Sequence, residues 1–127
     1  MATTSSAPRT ISDAALETGL SAHTLRYYER EGLMLGPVDR AASSHRRYSD
    51  RDLGWIRMLT HLRRTGMPIR TLREYAALAR AGEGNEAERL ALLEAHREHV
   101  LRELDEMRRN LEAVDRKIAI YRERTSA

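Results

Sequence analysis

Cysteine and phenylalanine are both absent from this 127-residue sequence, and aromatic residues make up only 5% of it. The absence of cysteine excludes disulfide bonds, thiolate metal sites, iron–sulfur clusters and cysteine nucleophiles. With so few aromatic side chains, the core must consist mostly of Leu, Ile and Ala, which favours an all-helical fold. A chain of this length suits one small domain with an appendage, and hardly two full domains.

Long apolar runs and catalytic motifs are also missing. No stretch reaches the ~18 apolar residues of a membrane span, and the N-terminus lacks the basic and apolar blocks of a signal peptide. We therefore expect a soluble cytoplasmic protein. Because there is no Ser/His/Asp arrangement and no glycine-rich phosphate loop, the sequence predicts neither an enzyme nor a cofactor.

Charge is distributed unevenly along the chain. The net charge is +3, but residues 1–82 carry 13 Arg and Lys against 8 Asp and Glu, whereas residues 83–127 carry 9 against 11. This asymmetry is expected when only the N-terminal part of a protein meets nucleic acid. Genome composition explains most of the excess of Arg over Lys, but it does not explain the asymmetry.

Two short helices are predicted near the N-terminus. Thr10 can cap the first helix, which Gly19 ends, and Ser21 can cap a second helix that ends at Gly32. The predicted inward side chains of the first helix are those of Ile11, Ala15 and Leu16. A helix, a glycine-containing turn and a second helix within about 20 residues are typical of a helix-turn-helix.

The second helix and the segment after it predict a DNA-binding surface. The helix should bury Leu25 and Tyr28 and carry Arg26 and Tyr27 outward. Residues 33–48 should then form two short strands or a loop that projects as a wing, with a basic and aromatic cluster at residues 45–48. Arginine and tyrosine on two neighbouring projections suit a phosphate backbone and the base edges between its strands.

Three further helices are predicted. Ser49 or Asp50 caps the third helix, which Gly66 ends, and Pro68 lies in the first turn of the fourth. Their predicted core residues are Leu53, Ile56, Leu59 and Leu62 in the third helix and Ile69, Leu72, Ala76 and Ala79 in the fourth. Gly82 and Gly84 interrupt the chain before the last helix.

The last helix carries an apolar residue at alternating steps of three and four, with Arg97 as the one charged residue in the row. The row consists of Leu90, Leu93, Val100, Leu104, Met107, Leu111, Val114, Ile118 and Tyr121. About 37 residues of helix would extend roughly 55 Å, too far for so small a domain to cover. The spacing predicts a coiled-coil dimer arm, and the alternative is a helix that folds back onto its own domain.

Several of these residues together carry a family resemblance. They are Leu25-Arg26-Tyr27-Tyr28-Glu29, Gly32-Leu33, Pro37, Arg40, Arg46-x-Tyr48, Asp52-Leu53 and Leu62-Arg63-x-x-Gly66-Met67. In this order and spacing they resemble the MerR family of bacterial transcription regulators, and the resemblance extends over roughly residues 10–121.

The resemblance implies a mainly α fold, in which a winged helix-turn-helix DNA-binding head is followed by a long coiled-coil dimerisation helix. We expect a tail at residues 1–9, the head at 10–82, the coiled-coil helix at 83–122 and a second tail at 123–127. The resemblance also implies a homodimer with antiparallel helices that binds a pseudo-palindromic promoter spacer and distorts it. RNA polymerase at that promoter is an implied partner, and an effector switches the distortion.

The site residues follow from the surface and from the resemblance. The expected DNA-binding residues are His23, Thr24, Arg26, Tyr27, Arg40, Arg46, Arg47, Tyr48 and Arg63. The expected dimer interface consists of Leu93, Val100, Leu104, Met107, Leu111, Val114, Ile118 and Tyr121. Arg26 is the candidate for a base-edge contact, whereas Tyr27 and the wing residues are candidates for phosphate contacts. His23 is equally consistent with a DNA contact and with a solvated surface position.

The sequence departs from the family pattern in two places. Ser44 and His45 stand where relatives usually have Gly and an aromatic residue in the wing. The sequence has no cysteine, so we do not expect the metal site of metal-sensing relatives, nor do we expect the appended ligand-binding domain of drug-sensing relatives. His96 and His99 form the only close histidine pair, so we expect no metal site.

Two alternatives concern the effector and the function. A small organic effector near Trp55, Tyr75 and Tyr121 is an alternative to no effector, although core packing is the commoner role for Trp55 and Tyr75. The alternative function is a coiled-coil interaction protein that pairs with another regulator. It would leave Arg26, Arg46 and Tyr48 dispensable, and their joint presence favours DNA binding.

Overall fold

The structure is a computed structural model that describes residues 8–36, 39–40 and 46–126, with residues 39, 40 and 46 as backbone only. The described residues are mainly helical. The elements are α1 (Ile11–Thr18), α2 (Ala22–Arg30), β1 (Asp39–Arg40), β2 (Arg46–Arg47), α3 (Asp50–Arg64), α4 (Ile69–Ala81) and α5 (Glu86–Thr125). The chain divides after Leu90 into two compact units, which are described separately.

Side-chain caps define α1 and α2. The hydroxyl of Thr10 accepts a hydrogen bond from the Asp13 amide at 3.1 Å, and Ser21 accepts one from the Thr24 amide at 3.0 Å. Between the helices, Gly19 adopts φ 74°, a left-handed conformation that costs glycine little. The predicted helix-turn-helix is therefore confirmed.

The inward face of α1 differs from the prediction. Ala14 is fully buried, whereas Leu16 is 84% exposed, so the prediction that Leu16 points inward is wrong. The two residues are two positions apart, which places their side chains roughly 200° apart around a helix. Helix α1 contacts α2 and α3 and buries Ala14, so Leu16 lies on the side away from the core.

The core of the first unit consists of buried side chains from α1, α2, α3 and α4 and from the segments between them. The predicted face of α3 is confirmed, since Leu53, Ile56, Leu59 and Leu62 are all buried. On α4 the buried side chains are those of Leu72, Tyr75 and Ala76. A reciprocal capping box starts α3: Ser49 accepts from the Asp52 amide at 3.1 Å, and the Asp52 carboxylate accepts from the Ser49 amide at 2.9 Å.

Arg9 fastens the N-terminal segment to the wing. Its backbone pairs with that of Tyr48 through two hydrogen bonds of 2.8 Å, next to the antiparallel pair of β1 and β2. Its guanidinium binds Glu17 and Asp50, and these two hydrogen bonds raise the pKa of Arg9 above its ordinary value. The predicted N-terminal tail therefore ends before Arg9.

The predicted wing turn, which includes Ser44 and His45, lies outside the described residues.

The last helix, α5, is 40 residues long, and none of its residues is buried. At about 1.5 Å per residue it extends roughly 60 Å. Its end corrects the predicted boundaries, because residues 123–125, expected in a C-terminal tail, belong to the helix. Among the described residues, no helix is long and apolar enough to cross a membrane.

The capping box of α3 gives a stability prediction. Ser49→Ala should lower the free energy of unfolding by about 1 kcal/mol, because the Asp52 amide loses its acceptor. Urea unfolding measures the difference, with Ser12→Ala as the control, since Ser12 is an exposed residue of α1, which Thr10 caps. An unchanged midpoint for Ser49→Ala would show that the cap contributes little.

Candidate nucleic-acid interface

The second helix presents one polar face and buries the other. His23, Arg26 and Arg30 are exposed, and Thr24 and Tyr27 are half-buried. On the opposite face Leu25 and Tyr28 are 1% and 5% exposed. The predicted division of α2 into a core face and an outward face is therefore confirmed.

The buried face fixes the helix against α3. The hydroxyl of Tyr28 lies 3.5 Å from that of Thr60, whose own hydroxyl donates to the Ile56 carbonyl at 2.8 Å. This buried polar contact gives the phenol a partner inside the core, as a buried Tyr requires. The orientation of Arg26 on the other face is thereby tied to a packed position of α2.

Arg30 belongs to the same outward surface, although it was not among the predicted site residues. It follows Arg26 by four residues, about one helical turn, so both lie on one side of α2. Its guanidinium lies 5.9 Å from the centre of the Tyr27 ring, a cation–π distance. The i, i+4 spacing of the two arginines is the signal by which sequence reasoning could have found it.

The wing residues have different positions. The strand register pairs Arg40 with Arg46 and Asp39 with Arg47 across the two strands, which brings the predicted basic positions together. Arg47 is half-buried. Tyr48 is only 1% exposed, so its predicted role as a phosphate-gripping side chain is corrected to one in the core. Its backbone pairing with Arg9 immediately before α3 holds it there.

A second polar region lies at the turn from α3 to α4. Arg63 is exposed, and its guanidinium donates to the Met67 carbonyl at 3.2 Å. Helix α4 begins after Pro68, where no side chain caps the first amides. Uncapped amides at the start of a helix favour anions, including phosphate. Arg63 and the first amides of α4 therefore both favour a phosphate at this turn.

The aromatic and histidine candidates have local roles. Trp55 and Tyr75 stack with their ring centres 5.5 Å apart and their planes at 12°, which is core packing. The ring centres of His96 and His99 lie 6.3 Å apart, and His99 Nε2 lies 3.4 Å from Glu103 Oε1. Within the part of the chain that the structure describes, no group of three or more His, Asp or Glu residues is placed to hold a metal ion.

The predicted apolar row of α5 lies largely open in the single chain. We call the part from residue 104 to 121 the apolar seam. Its exposed fractions are 53% for Leu104, 68% for Met107, 55% for Leu111, 54% for Val114, 40% for Ile118 and 54% for Tyr121. Leu93 and Val100 are half-buried. A contiguous exposed row of this kind marks an interaction surface.

Comparison with known proteins identifies the family. The model of the MerR helix-turn-helix family of regulatory proteins matches residues 9–78, which include α1 to α3 and most of α4. The chain belongs to this family. It is a DNA-binding transcription regulator, and regulators of this family are not enzymes.

Individual relatives agree with this assignment. An uncharacterized HTH-type transcriptional regulator of Haemophilus influenzae is 37% identical over 112 residues, which cover 88% of this chain and 82% of the relative. The regulator AdhR of Bacillus subtilis is 37% identical over 91 residues, and the match spans 64% of its length, less than two thirds.

A solved structure resembles the whole described architecture. It is that of HiNmlR, a MerR family regulator lacking the sensor domain, bound to promoter DNA. The two chains are 35% identical, with 92% of each covered and a TM-score of 0.83. The predicted head with its long C-terminal helix is therefore confirmed as the fold of this chain.

Proposed function

We propose that this protein acts as a homodimer that binds a pseudo-palindromic promoter spacer and distorts it to control transcription. The observation that carries the proposal is the outward face of α2, where exposed Arg26 and Arg30 stand above buried Leu25 and Tyr28. Such a helix can enter a major groove while its core face holds it in place.

Each side chain of the proposed interface has a role that follows from its position. Arg26 contacts a base edge, with His23 and Thr24 beside it near the N-terminus of α2. Tyr27 hydrogen-bonds a phosphate, and Arg30 supports it from one side. The remaining proposed phosphate contacts are Arg40, Arg46 and Arg47 in the wing and Arg63 with the first amides of α4.

The proposed dimer rests on the apolar seam of α5. Six large apolar side chains that are each at least 40% exposed would be costly to leave in water on every chain. A second copy offers the same row, and two such rows interlock as knobs into holes in a coiled coil. The proposed interface is extended by Leu93 and Val100.

Charge along α5 supports an antiparallel arrangement. The first half, residues 86–105, contains six acidic and three basic residues, whereas residues 106–125 contain six basic and four acidic. An antiparallel partner places each acidic half beside a basic half. A parallel partner would place like charges together, which is unfavourable at the flanks of a coiled coil.

The proposal includes further partners and boundaries. RNA polymerase meets the distorted promoter, and a small organic molecule is the effector. The polymerase and the existence of an effector extend from the family resemblance, and the choice of an organic effector rests on the lack of cysteine and of clustered histidines in the sequence. The protein works in the bacterial cytoplasm, where promoter DNA is found. We propose the head at residues 9–82 and the dimerisation helix at 86–125, which adjusts the sequence-based boundaries to the observed helix.

The first test separates base contacts from phosphate contacts. Arg26→Ala should weaken binding to the preferred duplex by about 1–3 kcal/mol and relax its sequence preference. Arg46→Ala should weaken binding to all duplexes alike and reduce the slope of log K against log salt by about one. Fluorescence anisotropy at several salt concentrations measures both effects. The charge control is Arg102→Ala, on an exposed position of α5 outside the seam. Equal losses on specific and random duplexes for Arg26→Ala would exclude the base-reading role.

The second test concerns the seam. Leu111→Glu places a charge in the middle of a dry interface on both chains, so it should dissociate the dimer and abolish high-affinity binding to two half-sites. Light scattering measures the mass. The matched control is Ala113→Glu, which adds the same charge next to the seam but off it. A dimer that survives Leu111→Glu would contradict the proposed interface.

The third test concerns the distortion of DNA. A dimer of fixed span acts on the twist of the spacer, so the spacer length determines what the distortion achieves. Once a genome-wide binding map has located a target promoter, removing one or two base pairs from its spacer should uncouple expression from this protein. If a reporter gene still depends on the protein as before, simple recruitment or blocking is the mechanism.

A further inference from the structure

The segment that leaves α2 toward the wing strands, Glu31–Met34, is held by side chains from α3 and α4 through every one of its backbone carbonyls. We call it the α2–wing connection. Arg73 Nε donates to the Glu31 carbonyl at 3.2 Å, and Trp55 Nε1 donates to the Leu33 carbonyl at 2.6 Å. Arg80 Nη1 donates to the carbonyls of Gly32 and Met34, each at 2.8 Å.

These four carbonyls have no helical partners of their own. The chain leaves α2 through Gly32, which adopts φ 72°, and carbonyls beyond a helix end lack amides of the same helix to bind. The C-terminal end of a helix also carries partial negative charge, which favours nearby cations. Arg73 and Arg80 are such cations. Their hydrogen bonds to the carbonyls are charge-assisted and therefore stronger than neutral ones.

The connection is fixed from its other side by burial. Leu33 and Met34 are 0% and 5% exposed, and the Leu33 amide donates back to the Tyr28 carbonyl at 3.0 Å. The side chains of Leu33 and Met34 are buried in the core, and side chains of α3 and α4 bind the carbonyls of the connection. This segment therefore has little conformational freedom. The exit of the chain from α2 toward the wing is therefore determined by α3 and α4.

The donors on α4 share one side of that helix. Arg73 and Arg80 are seven residues apart, about two helical turns, so they lie along one face. Tyr75, which lies between them in the sequence but on another side of the helix, stacks on Trp55, the third donor. The far end of α4 is fixed as well, because the buried Asn85 donates to the Leu78 carbonyl at 2.7 Å and accepts from Arg89 at 2.7 Å.

We infer that Arg80, together with Arg73 and Trp55, is a positioning residue for DNA recognition: it sets the wing relative to α2 without contacting DNA itself. The inference rests on the proposed function, since it assumes that α2 and the wing engage one duplex together. Helix α2 must enter a groove of the DNA while the wing contacts the DNA backbone. Both contacts form at little entropic cost only when the segment between α2 and the wing has one conformation.

The test compares Arg80→Ala and Arg80→Lys with Arg102→Ala, which removes the same charge from an exposed position on α5. The probe is a duplex that the unmodified protein selects from a random-sequence library. Arg80→Ala should bind it about tenfold more weakly, the size expected for loss of a charged hydrogen bond. Its slope of log K against log salt should stay unchanged, because no phosphate contact is lost. Arg80→Lys should recover part of the affinity, and Arg102→Ala should bind normally.

A second measurement does not depend on DNA. Amide hydrogen exchange in the peptide that covers residues 31–35 should be faster in Arg80→Ala than in the unmodified protein, since the connection loses two of its four carbonyl bonds. Arg80→Lys should lie between the two, and Arg102→Ala should leave this peptide unchanged.

The outcomes separate the inference from the function on which it rests. If the unmodified protein selects no duplex, the proposed function fails, whatever Arg80 does. If it selects one and Arg80→Ala binds it equally well, the inference is wrong. A salt slope reduced by about one would also overturn it, because Arg80 would then be a phosphate contact. Should Arg80→Ala not fold, Arg80→Lys decides: weaker binding with faster exchange supports positioning, and unchanged values refute it.

Discussion

The burial of Leu25 and Tyr28 on the inner face of α2 is the interaction on which the proposed recognition surface depends. A helix of nine residues is not stable alone in water, because nucleation is costly and so few backbone bonds follow it. Burial of these two side chains in the core therefore both stabilises the helix and decides which way Arg26 faces. The surface proposed to read DNA and the core side that stabilises it are opposite faces of this one short helix.

The arginines of the head serve two purposes that composition cannot separate. Arg9, Arg73 and Arg80 bind carboxylates or backbone carbonyls and so hold segments of the chain together. Arg26 and Arg30 stand on the outward face of α2. The net positive charge of the head therefore overstates the number of arginines available to DNA, because some of them pair with groups of the protein itself.

Local signals in the sequence predicted the helices well. The caps at Thr10, Ser21 and Ser49 depend on residues three positions away, so their pattern is visible along the chain. The spacing of Leu53, Ile56 and Leu59 likewise predicted the core face of α3. Leu16 was misplaced because α1 is short and packs through a small alanine, which hydrophobicity alone does not reveal.

Contacts between distant residues could not be predicted in the same way. The bonds from Arg80 to Gly32 and Met34 span 48 and 46 positions, and nothing near Arg80 in the sequence indicates them. The burial of Tyr48 depends on its pairing with Arg9, 39 positions earlier. Its place beside two arginines suggested a surface role, and only the tertiary arrangement shows that the backbone turns its ring inward.

The open seam of α5 has a consequence for how the protein responds to its own abundance. In the proposed dimer each chain covers its seam by pairing, so the protomer and the dimer are in an equilibrium that depends on concentration. If both heads must engage the operator together, occupancy at low expression rises with the square of the protomer concentration. Promoter occupancy would then change more than proportionally with the rate of synthesis, even without an effector.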